Sequence, residues 1–419
     1  MNRKISIGIA GLGNIGQGVA RIIESNRDKI LKKTGIELDI RSVCIKDMQK
    51  KRTLPTDAYL MTDDYNRLVD DPQIDIVVEL IGGVDAARDL IQKALKAGKH
   101  VVTANKAVMA KHGEEFFRLA EINKVKINYE AAVAGSIPVI RSFDVSFISD
   151  RIISIIGIIN GTTNFILTRM SREGLDYKDA LKQAQKLGFA EADPSLDVGG
   201  DDAAQKLAVL SRIAFNTDVS LDDIYYEGIT GIRPVDISYA CEMGYEIKLL
   251  AIARQEKGRL EMRVHPALIP KSHILASIRD EINAVLVTGE NIGEQLFYGK
   301  GAGQLPTAST VVADIIDVAR RGEMFYEYDR YEIQSIDDLK TEYYLRFDVD
   351  EMPGILMQIT TVLTKHNISV MSLIQKQTDS HVLPVIITVH KTDEKNMQDA
   401  FKEISSFDFV RSSNLMRVL

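Results

Sequence analysis

The stretch KISIGIAGLGNIGQGVARIIE, residues 4–24, constrains the fold more than any other part of the chain. Ile5 to Ala10 read as a short buried strand, and Gly11-Leu12-Gly13-Asn14-Ile15-Gly16 follows at once. After the glycines the apolar residues recur with helical spacing. A glycine pattern of this kind is weak by itself. Behind a strand and ahead of a helix it is the pyrophosphate turn of a dinucleotide-binding βαβ unit. Gly11 permits the tight turn, Gly13 lets backbone approach the anion, and Gly16 lets helix and strand pack closely. The N–H groups around Asn14 and Ile15 then face the phosphates at the positive end of the helix dipole.

The chain continues in that idiom. LDIRSVCI, IDIVVELIG and HVVTAN read as further strands, with the helical patterns AARDLIQKALKAGK and GEEFFRLAEINK between or after them, and VKINYEAAV beyond. Strands alternating with helices imply a mostly parallel, Rossmann-type α/β sheet, which we place at residues 1–133. From GSIPVIRSF onward the texture becomes α+β. RIISIIGIIN, EMRVHPALI and INAVLVTG are strand-like, while LDYKDALKQAQKLG, residues 200–215 and TASTVVADIIDVARR are helical. This second domain spans 134–322, and its helix after 305 is expected to pack back toward the first. Residues 323–341 are polar and weakly periodic and read as a linker. Residues 342–419 have the order βαββαβ, a ferredoxin-like module.

Composition narrows the function classes. The 419 residues are 45% hydrophobic and 26% charged, with a net charge of −7 and no basic stripe, which argues against nucleic acid as a partner. No apolar run is long enough to span a membrane. Cys44 and Cys241 match no disulfide or metal spacing, and no pair of the seven histidines has ligand spacing. A reducing, cytoplasmic setting is the expectation.

Cofactor choice is read just after the second strand. Asp47 could accept from a ribose hydroxyl and favour NAD; Lys46, with Lys50, Lys51 or Arg52, could pair with a 2′-phosphate and favour NADP. We lean to NADP, with NAD the alternative.

The stretch GFAEADPSLDVGGDDAAQKLAVLSR, residues 188–212, places five carboxylates in its first fifteen positions and then a lysine beside an apolar helical stripe. Asp202 and Lys206 are four apart and share a helix face. Such a pair can be a mere surface contact worth ~0.3–0.5 kcal/mol. TANKA sets Lys106 just past a strand's carboxyl end, where open α/β sheets bind ligands. NGTTN, residues 160–164, ends another strand with small hydrogen-bonding groups, or is simply a turn with a helix cap.

Taken in order with GKGAGQLPTA, residues 299–308, these stretches resemble homoserine dehydrogenase over roughly residues 5–320. The module carrying DVDEMPGIL resembles an ACT domain, a small amino-acid-sensing unit. The resemblance implies hydride exchange between a nicotinamide and L-aspartate 4-semialdehyde or L-homoserine, in threonine, methionine and isoleucine biosynthesis. It implies that Glu191 and Asp197 hold the substrate ammonium and that Gly161, Thr162 and Thr163 contact the substrate. Lys206 would be the acid–base residue, oriented by Asp202, with Lys106 a second cation or a cofactor contact. Thr103 and Gly303 would also touch the cofactor, the glycines of GKGAGQ letting backbone come close to the nicotinamide. An unperturbed lysine titrates near ~10.4; burial or a second cation would lower that value and Asp202 would raise it.

EAAVAGSI resembles the family's monovalent-cation loop, in which Glu130, Val133, Gly135 and Ile137 would ligate sodium through oxygen. In the ACT-like module Pro353, Gly354 and Ile355 at a helix start, with Asn367, would bind L-threonine as a feedback effector across a homo-dimer or tetramer contact. Competing readings are another amino-acid or 2-hydroxy-acid dehydrogenase and a non-catalytic dinucleotide-linked sensor, neither of which has a use for the 188–212 stretch. A fusion to aspartate kinase is not expected, for want of a kinase-length segment ahead of the glycine turn.

Overall fold

Consecutive branched apolar residues form strands buried on both faces, and a parallel sheet needs that. The computed structural model describes residues 3–49, 58–320, 330–375 and 381–419. The first six strands are β1 (Arg3–Ala10), β2 (Ile36–Cys44), β3 (Leu60–Thr62), β4 (Ile76–Glu79), β5 (His100–Thr103) and β6 (Ile127–Asn128). All pair in parallel, in the spatial order β3-β2-β1-β4-β5-β6. That is the doubly wound order in which a dinucleotide lies at the carboxyl ends of the strands.

The chain forms two compact units. The first comprises Met1–Ile155, Gln205–Asp223 and Asn283–Tyr331, the second Ile156–Ala204, Ile224–Ile282 and Glu332–Leu419. In the first, one hydrophobic core joins Ile5, Ile7, Ile9, Val19 and Ile23 to Ala308, Val311, Ile315 and Val318. The late helix Gln304–Arg320 therefore covers the same sheet as helix Asn14–Ser25. Gly18 allows their close approach: a Cβ there would sit 2.8 Å from Cβ of Ala308.

In the second unit, strands Tyr245–Glu256 and Arg259–Pro270 form a long antiparallel pair. The C-terminal module follows the order expected of it: strand Lys340–Asp350, helix Ile355–Lys365, strands Val370–Gln375 and Val382–Asp393, helix Glu394–Ser405 and strand Val410–Val418. Its last strand lies beside its first, and the first beside Val382–Asp393, which also borders Val370–Gln375. The last strand has a second neighbour, with Arg417 and Val418 paired in parallel to Ala267 and Leu268, so the module continues the sheet of the unit. The polar stretch read as a linker contains more than a linker. Glu332–Ile333 pairs in parallel with Arg259 and Leu260, Ile336–Asp338 makes a 3-10 turn, and the module's first strand starts at Lys340. Among the described residues no helix is long and apolar enough to cross a membrane.

Candidate active site

The glycine turn has the geometry its residues dictate. Gly11 has φ +103°, and a Cβ on it would lie 2.4 Å from the carbonyl oxygen of Leu80, so only glycine fits. A Cβ on Gly16 would meet the carbonyl oxygen of Gly11 at 2.1 Å, which is the close turn–helix contact. Gly13, the N-cap of helix Asn14–Ser25, would meet nothing within 4 Å. Two glycines are thus required by the protein and one opens onto free space, as a pyrophosphate cradle requires. The turn fits a dinucleotide.

Gln304 reaches the turn, its side-chain nitrogen donating to the carbonyl of Asn14 at 2.8 Å; Gly303 just before it has φ +127°. Gly301 has a different reason to be glycine, since a Cβ there would collide with the side chain of Asn283 at 2.1 Å. Past β2, Lys46 is exposed, and Asp47 turns one carboxylate oxygen to the N–H of Gln49 at 2.9 Å. Lys50, Lys51 and Arg52 lie outside the described residues.

Lys106 opens helix Lys106–Ile122, three residues beyond β5, with Asn105 as N-cap accepting from Val108 N–H at 3.2 Å. The same unit holds Lys206. Arg212, farther along the helix of Lys206, donates to the carbonyls of Met109 and Ala110 at 2.7 and 3.0 Å and fixes the two segments together. Thr103 closes β5. Its hydroxyl is fully buried and donates to Glu79 at 2.6 Å, leaving only backbone for a ligand.

Glu79 is the residue that sequence reasoning missed here. At the end of β4 it also accepts from the N–H groups of Ile81 and Gly82 at 2.8 and 3.3 Å, and burial raises its pKa. A lone glutamate closing an otherwise apolar strand was the available signal.

In the second unit the carboxylates and NGTTN come together. Asn160 caps helix Gly161–Glu173, its side-chain oxygen accepting from Thr163 N–H at 2.8 Å. Its side-chain nitrogen donates to Asp197 at 2.7 Å and to Asp202 at 2.8 Å. Asp202 is 6% exposed. Thr162 donates to the carbonyl of Phe189 at 2.7 Å and to Asp197 at 3.3 Å. Thr163 is buried with its hydroxyl on Asn160. The Thr162 hydroxyl thus touches Asp197 directly, and that of Thr163 touches the Asn160 that bridges the carboxylates. The cap reading of NGTTN is realised by Asn160, whose side chain also reaches the two carboxylates. Asn164 faces elsewhere, accepting from the buried Lys248, whose pKa burial lowers to about 8. Glu191 is exposed, on the segment leading to this cluster. Lys206 is half-buried one turn after Asp202 on helix Asp201–Ala214.

The loop after β6 curls through positive φ at Ala134 and Gly135. Glu130 is buried, its two carboxylate oxygens accepting from the N–H groups of Ile140 and Arg141 at 2.8 and 2.7 Å, and burial pushes its pKa up to about 7. Asp314, also raised by burial and by Glu130, accepts from Glu130 N–H at 2.9 Å and from Arg141 at 3.0 Å. The Glu130 carboxylate is thus committed to backbone, and only carbonyl oxygens of Glu130, Val133, Gly135 and Ile137 are suited to an ion.

In the C-terminal module a cavity of about 400 Å³ is lined by residues 349–357 and Gln375, and so includes Pro353, Gly354 and Ile355. Asn367 does not line it. It follows the far end of helix Ile355–Lys365, which at ~1.5 Å per residue is about 16 Å long.

The chain matches three family models: "Homoserine dehydrogenase, NAD binding domain" over residues 11–130, "Homoserine dehydrogenase" over 138–316, and "ACT domain" over 343–409. It is 42% identical to the homoserine dehydrogenase of Neisseria gonorrhoeae, with 97% of each chain covered. A solved homoserine dehydrogenase from Thiobacillus denitrificans superposes with a TM-score of 0.93 at 40% identity, covering 100% of this chain and 98% of that one. A hyperthermophilic archaeal homoserine dehydrogenase solved in complex with NADPH has a TM-score of 0.65 at 27% identity, covering 75% and 98%.

Proposed function

The chain belongs to the homoserine dehydrogenase family, and from that premise we propose how its residues share the work. Homoserine dehydrogenase is an NAD(P)-dependent oxidoreductase that interconverts L-aspartate 4-semialdehyde and L-homoserine. The nicotinamide, when bound, supplies or accepts the hydride. The observation that carries our assignment is the single amide of Asn160 holding Asp197 and Asp202 side by side, with Lys206 one turn further on.

The substrate bears an ammonium and a carboxylate that take no part in the chemistry. Asp197 and Glu191 receive the ammonium. The first N–H groups of helix Gly161–Glu173, at Gly161 and Thr162, suit the carboxylate. As hydride reaches the carbonyl carbon, the oxygen becomes an alkoxide. Lys206 meets that charge and donates its proton, and Asp202 orients the ammonium group of Lys206. Lys106, at the carboxyl end of β5, serves as a second cation or holds the cofactor.

NADP is the proposed cofactor. Asp47 is engaged by its own turn and the exposed Lys46 is suited to a 2′-phosphate; the archaeal relative with NADPH supports the choice. A sodium ion on the 130–137 loop would be held by carbonyls alone. The cavity at Gly354 suits an amino-acid zwitterion, with helix-start N–H groups for its carboxylate and the acidic Glu351 for its ammonium, so L-threonine is the proposed effector. Homo-oligomer formation is supported by the exposed Ile148 and Tyr298, 77% and 69% accessible, whose neighbours Phe147 and Phe297 stack at 5.9 Å.

The test is NADPH oxidation with L-aspartate 4-semialdehyde, run with Lys206→Met and with threonine. The variant is expected to bind NADPH normally while kcat falls by at least about a hundredfold, the scale of one general acid. Turnover near wild type removes Lys206 from its role; a rate indifferent to millimolar threonine removes the effector.

A further inference from the structure

The two carboxylates bridged by Asn160 stand on separate elements, Asp197 on helix Ser195–Val198 and Asp202 on helix Asp201–Ala214, joined by the turn Gly199-Gly200. That turn is clasped from outside. Ile229 N–H donates to the carbonyl of Val198 at 2.9 Å. Gly228 lies so close that a Cβ on it would be 2.0 Å from that same oxygen and 2.7 Å from Cα of Gly199. Gly200 has φ +95°, and its Cβ would meet the carbonyl oxygen of Glu227 at 2.8 Å. Residues 227–229 therefore clasp, through backbone contacts, the turn between Asp197 and Asp202, which Asn160 bridges on the side-chain side.

Glu227 is held in its turn by the C-terminal module. Arg417, two residues from the end of the chain and 1% exposed, donates to Glu227 at 3.1 Å and lies over the ring of Tyr225 at 5.1 Å. The same guanidinium donates to both carboxylate oxygens of the buried Glu394, at 2.8 Å through Nε. Glu394 also accepts from Tyr343 at 2.8 Å, on the module's first strand. A bidentate arginine locked on one carboxylate offers its remaining N–H groups in fixed directions, and here one reaches Glu227 and another the hydroxyl of Tyr225 at 3.3 Å. The proposed mechanism above uses neither residue.

We propose that Arg417 and Glu227 are positioning residues for the reaction: the module's last strand, through this pair and the 227–229 backbone, holds Asp197 and Asp202 at the separation the substrate needs. The module is then part of the substrate site's frame. A ligand that shifts its sheet reaches the carboxylates by this route. The inference rests on the reading of Asp197 and Asp202 as substrate and lysine partners.

The experiment measures KM for L-homoserine, kcat and NADP affinity for the full-length Glu227→Gln, Arg417→Met, Arg417→Lys and double Glu227→Gln/Arg417→Met enzymes, beside Asp197→Asn. Each of the first two is expected to raise KM about tenfold through Asp197 and to lower kcat severalfold through Asp202 and Lys206, with NADP affinity unchanged. The double variant is expected to be no worse than either single one, and Arg417→Lys, which keeps the charge, to recover part of the loss. A folded Glu227→Gln enzyme with wild-type KM overturns the proposal. So do additive effects in the double variant, or parallel losses of kcat and NADP affinity that mark a folding defect. If Asp197→Asn raises KM while Glu227→Gln does not, the reading of the carboxylates stands and the proposal alone fails. If Asp197→Asn leaves KM unchanged, that reading fails first.

Discussion

Replacing Asn160 probes the candidate site without removing a group that takes or gives a proton. Its side chain caps a helix through Thr163 N–H at 2.8 Å and donates to Asp197 and Asp202 at 2.7 and 2.8 Å. Asn160→Ser keeps a capping oxygen and removes both donors. Hydrogen bonds to charged groups are worth ~1.5–3 kcal/mol each, so the loss is about 3–6 kcal/mol if the two contributions add and less if the cluster relaxes. Asn160→Asp also keeps the cap, for Asp serves there as well as Asn, but it sets a third carboxylate between two. Such a cluster takes up a proton rather than hold three charges. The penalty at pH 7 is bounded by the cost of protonating an ordinary aspartate of pKa ~3.9, about 4 kcal/mol. The two variants are therefore close in stability at neutral pH and differ in how stability varies with pH. In Asn160→Asp the folded state carries one proton more than the unfolded state between pH ~4 and ~7. Stability then falls as pH rises through that window, by up to about 1.4 kcal/mol per unit, and returns on acidification. Asn160→Ser adds no carboxylate, so its slope relative to wild type comes only from the lost donors to Asp197 and Asp202 and is shallower. Urea unfolding followed by circular dichroism at half-unit pH steps reads the difference. Parallel slopes for the two variants refute the placement of Asn160 between the carboxylates.

The glycine turn makes a paired expectation. Gly13→Ala should leave the unfolding midpoint within about 0.5 kcal/mol of wild type, because a Cβ there meets nothing, yet weaken NADP binding measured by titration. Gly11→Ala should instead lower stability sharply, its φ of +103° and the Leu80 carbonyl both opposing a side chain. Equal effects of the two substitutions would contradict the division of labour in the turn. Glu130, raised from 4.5 to about 7 by burial, keeps in the folded state a proton that the unfolded chain releases. Its contribution is present below pH ~4.5 and is lost as pH climbs toward 7, by about 3 kcal/mol. Glu130→Gln should flatten the curve of Tm against pH in that window, and an unchanged curve would show the buried carboxyl to be ionised throughout.

Legibility followed periodicity. The glycine turn and five of the six parallel strands lie in apolar stretches set between helical patterns and could be read directly; Leu60–Thr62, only three residues long, was not read as a strand. Helix Gly161–Glu173 was hidden because its first residues, GTTN, have the composition of a loop and its polar groups are buried by partners far off in the chain. Asn164 reaches the carbonyl of Ile282 at 3.1 Å, and Thr162 reaches that of Phe189. The same cause hid the partner of Thr103, whose hydroxyl is held by Glu79 on the neighbouring strand. Asp197 and Asp202 were each given a role by resemblance, beside Glu191 and Lys206; the amide that joins them was not foreseen, because hydrogen bonding across 37 and 42 residues leaves no periodic trace.

The C-terminal module shows where such reading stops for a physical reason. Its first strand alternates as a half-buried strand does: Tyr343, Leu345, Phe347 and Val349 enter the module's own core, and Tyr344, Arg346 and Asp348 occupy the other face. In a free-standing module that second face would meet water, and its polarity reads that way. Here it is buried. Arg346 donates to Asp236 at 2.7 Å and Tyr344 to the same oxygen at 3.1 Å, while Arg233 pairs with Asp348. Buried ion pairs of this kind add little net stability over apolar packing, but an unpaired member costs several kcal/mol, on the order of 3–5. Their effect is therefore selective: they permit one docking of the module on segment 225–236 and penalise every other. A module attached by apolar contacts could slide. One attached through Asp236, Asp348 and Glu227 keeps its register, and only a module that keeps its register can hold a backbone clasp at the Gly199-Gly200 turn in place.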